Sequence, residues 1–154
     1  MTRPLLQIAY RLRRLAQRVL RLKTVGVKVM LFDADERLLL IRNTYGKSHL
    51  WMLPGGGVHR GEAVEGAAAR ELQEEVGIAA EDLAPFATFT ARGEGRRDTV
   101  HVFTACTAAT PRIDGVEVSE ARFFALDALP DTVSKATRRR IEEYGGKRPP
   151  GGTW

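Results

Sequence analysis

A run of glycines followed by a short acidic helix constrains this chain more than any other segment. Leu53-Pro54-Gly55-Gly56-Gly57 lets the backbone come close to a ligand or a neighbouring strand. The residues from 63 to 76 then have the spacing of an amphipathic helix, and Gly77 predicts its end. An apolar stripe at steps of four predicts that this helix packs on a sheet, through Val64, Ala68, Leu72 and Val76.

Three glutamates crowd one side of this helix near its end. Glu71 faces both Glu74 and Glu75, and each like-charge pair at this spacing costs roughly 0.2–0.5 kcal/mol. Carboxylates in a last turn also oppose the negative end of the helix dipole. A hard divalent cation with oxygen ligands removes this conflict, and carbonyls of the glycine run can complete its ligand shell.

The segment from 56 to 78 resembles the Nudix box, written G, five residues, E, seven residues, R-E, an aliphatic, any residue, E-E, any residue, G, an aliphatic. This resemblance implies an α/β Nudix fold, in which a mixed β-sheet is sandwiched between helices as an α-β-α sandwich. Every fixed position of the pattern is matched, by Gly56, Glu62, Arg70, Glu71, Leu72, Glu74, Glu75, Gly77 and Ile78.

The resemblance also implies a set of site residues. Glu71, Glu74 and Glu75 are expected to bind Mg2+ or Mn2+, and the Gly55 carbonyl is expected as a further ligand. Glu62 and Arg70 are expected to orient the loop and the helix in the catalytic site. The alternative is a solvated acidic helix face, which explains neither the glycine run nor the opposed charges.

Carboxylates that hold hard cations beside a glycine loop suit phosphate oxygens, so the chemistry points to hydrolysis of a phosphoanhydride. The resemblance adds the substrate class: a nucleoside diphosphate linked to another moiety, cleaved when a metal-activated water attacks phosphorus. Sequence markers of relatives that cleave NADH, ADP-ribose or dinucleoside polyphosphates are missing, so a nucleoside triphosphate or related small nucleotide is the leading hypothesis. An RNA 5′-end pyrophosphohydrolase and a noncatalytic nucleotide-binding regulatory module are the alternatives.

Residues outside the box extend the candidate site. The resemblance implies that the general base is Glu71 or a glutamate outside the box. Glu117, in an acidic run before a predicted strand, is a candidate base or metal ligand. Glu120 is the neighbouring choice. Three arginines are candidates for charge-assisted bonds to substrate phosphates, although each also suits an ordinary surface position: Arg42, Arg92 and Arg96.

The amino-terminal segment differs from the rest of the chain. Residues 1–32 hold eight Lys or Arg residues and no acid. Because the net charge of the whole chain is only +5, the remainder of the chain is mildly acidic. We predict a basic amphipathic helix over 1–22, a Nudix domain over 23–146 and a flexible tail over 147–154. The helix is expected to dock on the catalytic domain or to form a homodimer; contact with a membrane surface or nucleic acid is the alternative. Its apolar seam is formed by Leu5, Ile8, Leu12, Leu15, Val19 and Leu22.

Composition is typical of one small enzyme domain. The 154 residues suffice for a single core, and with Cys106 as the one cysteine no intrachain disulfide can form. No run of 18 apolar residues occurs, and we therefore expect a cytoplasmic protein. The apolar setting of Cys106 predicts a packed thiol. Strands are predicted over 24–32, 37–44, 51–53, 86–91, 99–107 and 121–126, with a final helix beginning at Ser134.

Overall fold

The computed structural model describes residue 8 and residues 24–93, 96–113 and 115–154, apart from the side chains of 92–97. The helix predicted over 1–22 therefore lies outside the described residues, except for residue 8. Within the described part no helix has the length and apolar character needed to cross a bilayer. The elements of this part are β1 (Thr24–Phe32), β2 (Leu38–Asn43), α1 (Val64–Val76), β3 (Ala84–Gly93), β4 (Arg96–Cys106), β5 (Val118–Phe124) and α2 (Lys135–Tyr144).

The described strands form one mixed sheet in the order β3-β4-β1-β2-β5. β1 runs parallel to β4, and the other neighbouring strands pair antiparallel. α1 packs on one face of this sheet and α2 on the other, because alternate side chains of each strand point to opposite faces. The predicted α-β-α sandwich with a mixed sheet is confirmed.

Both faces have a continuous apolar core. Val27 and Val29 of β1 join Leu72 of α1 on the first face, whereas Met30 of β1 joins Ile141 of α2 on the second. α1 begins one residue after its predicted start and ends at Gly77, which adopts the left-handed conformation (φ 66°). The sheet thus fixes α1, and with it the acidic side chains that α1 carries.

The glycine segment fills a gap between two strands. β1 and β2 meet at Phe32 and Leu38, beside their turn, and farther along the segment 51–58 lies between them. The amides of Val27 and Val29 donate to carbonyls at 56 and 54 (2.9 and 3.0 Å), and Ile41 exchanges two hydrogen bonds with Met52. The strand predicted over 51–53 is therefore present only as isolated bridges.

Two further expectations are corrected. Cys106 is exposed, because it is the last residue of β4, at the margin of the packed core. The last strand begins at Val118, three residues before its predicted start. In the tail, whose flexibility stays a prediction, the Trp154 ring lies 6.1 Å from that of Phe89.

Candidate active site

The glycine run brings its backbone against β1 and α1. Gly55 has a φ of 130°, and a Cβ atom there would collide with the Val27 carbonyl oxygen. A Cβ atom at Gly56 would lie 2.5 Å from a carboxylate oxygen of Glu71. Glycine is therefore required at position 55, whereas a larger residue at position 56 would displace the flexible Glu71 carboxylate.

Glu75 is the deepest carboxylate of the candidate site. Its side chain is buried in the last turn of α1, where Oε2 accepts a hydrogen bond of 2.7 Å from the Gly55 amide. The pKa of Glu75 is raised to about 7, chiefly by burial and to a smaller extent by the negative charges of Glu71 and Glu117, while Lys28 and the Gly55 amide oppose the shift. The residue is thus a carboxylate held in surroundings that favour an additional cation.

Lys28 of β1 supplies one positive charge. Its Nζ donates to the carbonyl oxygens of Leu53 (3.0 Å) and Gly55 (2.6 Å). Burial lowers the pKa of Lys28, while Glu75 and Glu71 act in the opposite direction. A candidate metal ligand, the Gly55 carbonyl, is therefore bonded to an ammonium group in this structure.

Arg70 connects the remaining acids of the box. Its guanidinium forms two bonds to Glu62 (2.8 and 3.0 Å), and it donates to the Gly57 carbonyl (2.9 Å). The same group lies 2.8 Å from Glu71 and 3.2 Å from Glu74. Glu62 and Glu71 raise the pKa of Arg70 above its ordinary value, the bond to Glu62 being the largest cause. The charge conflict inferred from spacing is therefore partly relieved by Arg70.

Glu62 has a different environment from the other acids of the box. Besides Arg70, it accepts a 2.8 Å hydrogen bond from the amide of His59. The bond from Arg70, followed by that from His59, lowers the pKa of Glu62 to about 2. Glu62 therefore stays ionised and links the loop to the helix, which is the arrangement expected of an orienting residue.

A cleft of about 300 Å3 opens beside the end of α1 and is lined by Glu74, Glu75 and Glu117. Glu117 is exposed, and its carbonyl accepts a hydrogen bond from the Thr44 amide (2.9 Å) at the end of β2. The structure thus brings Glu117, which lies 42 residues after Glu75 in the sequence, to the acidic cluster.

Glu120 lies in a separate cluster, on a strand whose pairing contains a β-bulge. Arg42 is opposite Glu120 while the next residue, Asn43, is opposite Val118, so the register slips by one residue between these pairs. Glu120 forms ion pairs with Arg42 (2.8 Å) and Arg122 (2.9 Å). Among the outside candidates, only Glu117 is brought to the cleft of the box acids in the described structure.

Of the three candidate phosphate-binding arginines, only Arg42 has a side chain within the described structure. Arg42 is engaged by Glu120, and its guanidinium carbon lies 5.6 Å from the centre of the Trp51 ring. Arg92 and Arg96 belong to the end of the β3–β4 hairpin, where their side chains lie outside the described part of the molecule. Their contact with substrate stays a prediction.

The donor set suits a hard divalent cation, although its members are not gathered around one point. Among the described residues no group of three acidic, imidazole or thiol side chains stands ready to hold a metal ion. The reason is visible in the contacts: Arg70 holds Glu71 and Glu74, and the Gly55 amide holds Glu75. Oxygen donors and surplus negative charge nevertheless match the preference of Mg2+ and Mn2+.

Comparison with known proteins places this arrangement in a family. The model of the NUDIX domain matches residues 22–144, which is most of the chain. The chain belongs to the Nudix family. Members of this family are in general pyrophosphohydrolases that act on acid anhydrides and use divalent metal ions.

Three relatives illustrate the range of the family. An uncharacterized Nudix hydrolase of Pseudomonas aeruginosa is 37% identical over 102 residues, covering 64% of this chain and 60% of that protein. An RNA pyrophosphohydrolase of Teredinibacter turnerae is 44% identical over 58 residues, 38% of this chain and 33% of that protein. A Bacillus subtilis protein, provisionally named an 8-oxo-dGTP diphosphatase, is 29% identical over 122 residues, 79% of each chain. The match thus spans less than two thirds of the first two relatives.

The crystal structure of a MutT Nudix hydrolase from Burkholderia pseudomallei has the same fold. It superposes with a TM-score of 0.71 at 32% identity, covering 79% of this chain and 97% of that one. The Nudix fold of this chain therefore rests on both sequence and structure.

Lys28 was missed by sequence reasoning. The available signal was its position inside an otherwise apolar strand, Thr24–Phe32, where a lone lysine needs partners for its ammonium. Those partners are carbonyls of a segment 25 and 27 residues farther along the chain, which no local spacing reveals.

Proposed function

We propose that this Nudix protein hydrolyses a phosphoanhydride bond of a nucleoside diphosphate linked to another moiety, in the presence of Mg2+ or Mn2+. The observation that most strongly supports this proposal is the buried Glu75, which shares a cleft with Glu74 and Glu117 at the end of α1. The Gly55 amide satisfies one of its carboxylate oxygens, but the negative charges of Glu71 and Glu117 beside it favour a bound cation, and a metal site supplies one.

Each box residue has a role in this proposal. Glu71, Glu74 and Glu75 hold the cation together with the Gly55 carbonyl, and Glu117 is a further ligand or the base. When bound, the metal neutralises phosphoryl charge and lowers the pKa of water. Arg70 and Glu62 hold the loop on the helix through their paired hydrogen bonds, which keeps the carboxylates oriented.

A nucleoside triphosphate or a related small nucleotide is the leading substrate. The similarity to the Bacillus subtilis protein supports this choice, because it extends over 79% of both chains. Arg42 is proposed to bind a substrate phosphate after exchanging its ion pair with Glu120 for the substrate, and Arg92 and Arg96 are proposed to approach from the β3–β4 hairpin.

The test is a panel of nucleotides with Mg2+ or Mn2+, in which released phosphate or pyrophosphate and the nucleotide product are identified. Glu75→Gln keeps the side-chain shape and removes the charge, so turnover should fall by at least about a hundredfold. Glu65→Gln is the matched control, because Glu65 is an exposed glutamate in the first turn of the same helix.

The expected result is near-complete loss for Glu75→Gln and wild-type turnover for Glu65→Gln, with unchanged circular dichroism for both. Full turnover by a folded Glu75→Gln protein would contradict the proposed site. Equal loss in both variants would point to a general effect of changing the helix charge.

Hydrolysis of RNA 5′-ends is the second candidate. It is favoured by the similarity to the Teredinibacter turnerae RNA pyrophosphohydrolase within the Nudix domain and by the basic residues of 1–32. For an RNA-end hydrolase, free nucleotides should compete poorly against a triphosphate-ended RNA. Removal of residues 1–22 should then weaken RNA turnover and leave the hydrolysis of any small nucleotide intact.

A further inference from the structure

Lys28 is a charged residue inside an apolar strand. The residues of β1 that follow it, 29–32, are buried, and the Lys28 side chain is itself partly covered. Its ammonium donates to two carbonyl oxygens of the glycine segment, those of Leu53 and Gly55. Hydrogen bonding to two carbonyl oxygens needs a donor but not a charge, so the positive charge beside two acids calls for an explanation of its own.

Gly55 connects this ammonium to the acidic cluster. The amide of Gly55 donates to Glu75 at 2.7 Å, while its carbonyl accepts from Lys28 at 2.6 Å. The charges of Glu75 and Glu71 both act on the Lys28 ammonium. A single loop residue therefore has the acid on one side and the cation on the other.

The same carbonyl is the backbone ligand proposed for the metal. An ammonium and a divalent cation on one carbonyl oxygen repel each other strongly, because few ångströms and little water separate them. Binding of the metal at Gly55 therefore requires the ammonium to leave. Its long, flexible stem permits this movement.

Arg70, the cation that contacts the box acids directly, is fixed more firmly. It forms paired bonds to Glu62 and a third bond to the Gly57 carbonyl, neither of which is a proposed metal ligand. A planar guanidinium held by such a pair keeps its place when the carboxylates beyond it rearrange. Lys28, by contrast, bonds only to carbonyls in the contacts described.

We propose that Lys28 is the counter-cation of the metal-free site, which a divalent cation displaces from the Gly55 carbonyl. This inference rests on the metal site of the proposed function. Lys28 then balances Glu75 and Glu71 until metal arrives, and it sets the affinity of the site for the ion. It is a positioning residue that acts on the metal through the loop.

The test measures Mn2+ binding to the chelator-stripped full-length protein by electron paramagnetic resonance of the free ion. Lys28→Met keeps the length of the side chain and removes its charge, so the dissociation constant for Mn2+ should fall about tenfold. Lys135→Met, which removes an exposed lysine at the start of α2 on the other face of the sheet, should leave it unchanged. If Lys28→Met does not fold, Lys28→Gln replaces it, and the same fall of the dissociation constant for Mn2+ is expected.

Equal or weaker Mn2+ binding by a folded Lys28 variant overturns this inference and leaves the proposed function standing. Absence of Mn2+ binding by the wild-type protein overturns both proposals. Tighter binding by Lys28→Met, with Lys135→Met unchanged, supports the counter-cation role.

Discussion

In the described structure, α1 and α2 each carry an arginine bonded to glutamate, but the charge around the two arginines differs. On α2, Arg140 is paired with Glu143 at 2.8 Å, and both side chains are almost fully buried. On α1, Arg70 contacts Glu62, Glu71 and Glu74 beside an open cleft.

The surroundings of the two arginines reinforce this contrast. The guanidinium carbon of Arg140 lies 3.6 Å from the centre of the Phe89 ring and 5.4 Å from that of Trp154. This pair is balanced and enclosed by aromatic rings, as suits a part of the core. The cluster on α1 has more acids than bases and a path to solvent, as suits a site that receives a cation.

Breaking the α2 pair should have the largest effect on stability. Arg140→Met leaves Glu143 buried without its partner, which should cost about 3–5 kcal/mol. The thermal midpoint of unfolding, followed by circular dichroism, should then fall by roughly 6–20 °C for a chain of this size. Turnover per folded molecule should stay at the wild-type value, because the pair lies on the face opposite α1.

The control is the double variant Arg140→Met with Glu143→Leu, which removes both charges and should recover most of the lost stability. Recovery is expected because Nε of Arg140 and Oε2 of Glu143 have no hydrogen-bond partner within the described structure. A large loss of turnover in the folded single variant would show that the α2 pair is more than a structural element.

Separate glutamine substitutions of the two candidate glutamates outside the Nudix box test the role of the cleft. Glu117→Gln should lower kcat by about tenfold to a hundredfold, because Glu117 lies with Glu74 and Glu75 in the cleft. Glu120→Gln is the matched change in the neighbouring cluster, and its kcat should remain within about threefold of wild type. The reverse order of effects would assign the base to Glu120, which the proposed exchange of Arg42 to a substrate phosphate would leave free of that ion pair.

Much of the fold could be predicted because local patterns agree with the tertiary arrangement. β1 was predicted with its observed bounds, and Gly77 ends α1 as its position indicated. The early start of β5 could not be predicted, because Ser119 and Glu120 interrupt the apolar pattern and the pairing of β5 with β2 is a long-range contact. Cys106 was placed wrongly, since an apolar run does not show where a packed layer ends.

For the site, the sequence identified the acids of the box but only part of their interactions. Like-charge repulsion was overstated, because the spacing of Glu71 and Glu74 does not show that Arg70 reaches both. The choice between Glu117 and Glu120 was left open, because their spacing does not show which of them lies beside the distant helix α1. Lys28 was missed for the same reason: its partners come from a distant segment of the chain.

The smallest expected effect concerns the acid stability of the Arg70 cluster. The pKa of Glu62 is lowered from 4.5 to about 2, chiefly by its bond from Arg70. A carboxylate with a lowered folded pKa contributes stability that is fully present above its unfolded pKa and is lost as the pH falls through the folded one. The wild-type protein should therefore lose this contribution between about pH 5 and pH 2.

Thermal unfolding in the presence of chelator, measured from pH 6 to pH 2, checks this expectation. Glu62→Gln should be less stable than wild type near pH 6, and the two curves should converge as the pH approaches 2, because the wild-type residue is then also uncharged. Glu65→Gln should run parallel to wild type, since Glu65 is exposed at the other end of the helix. A constant gap between wild type and Glu62→Gln would mean that shape and hydrogen bonding, more than charge, join the loop to α1. The Arg70 cluster would then be a structural element like the Arg140–Glu143 pair, despite its excess of acids.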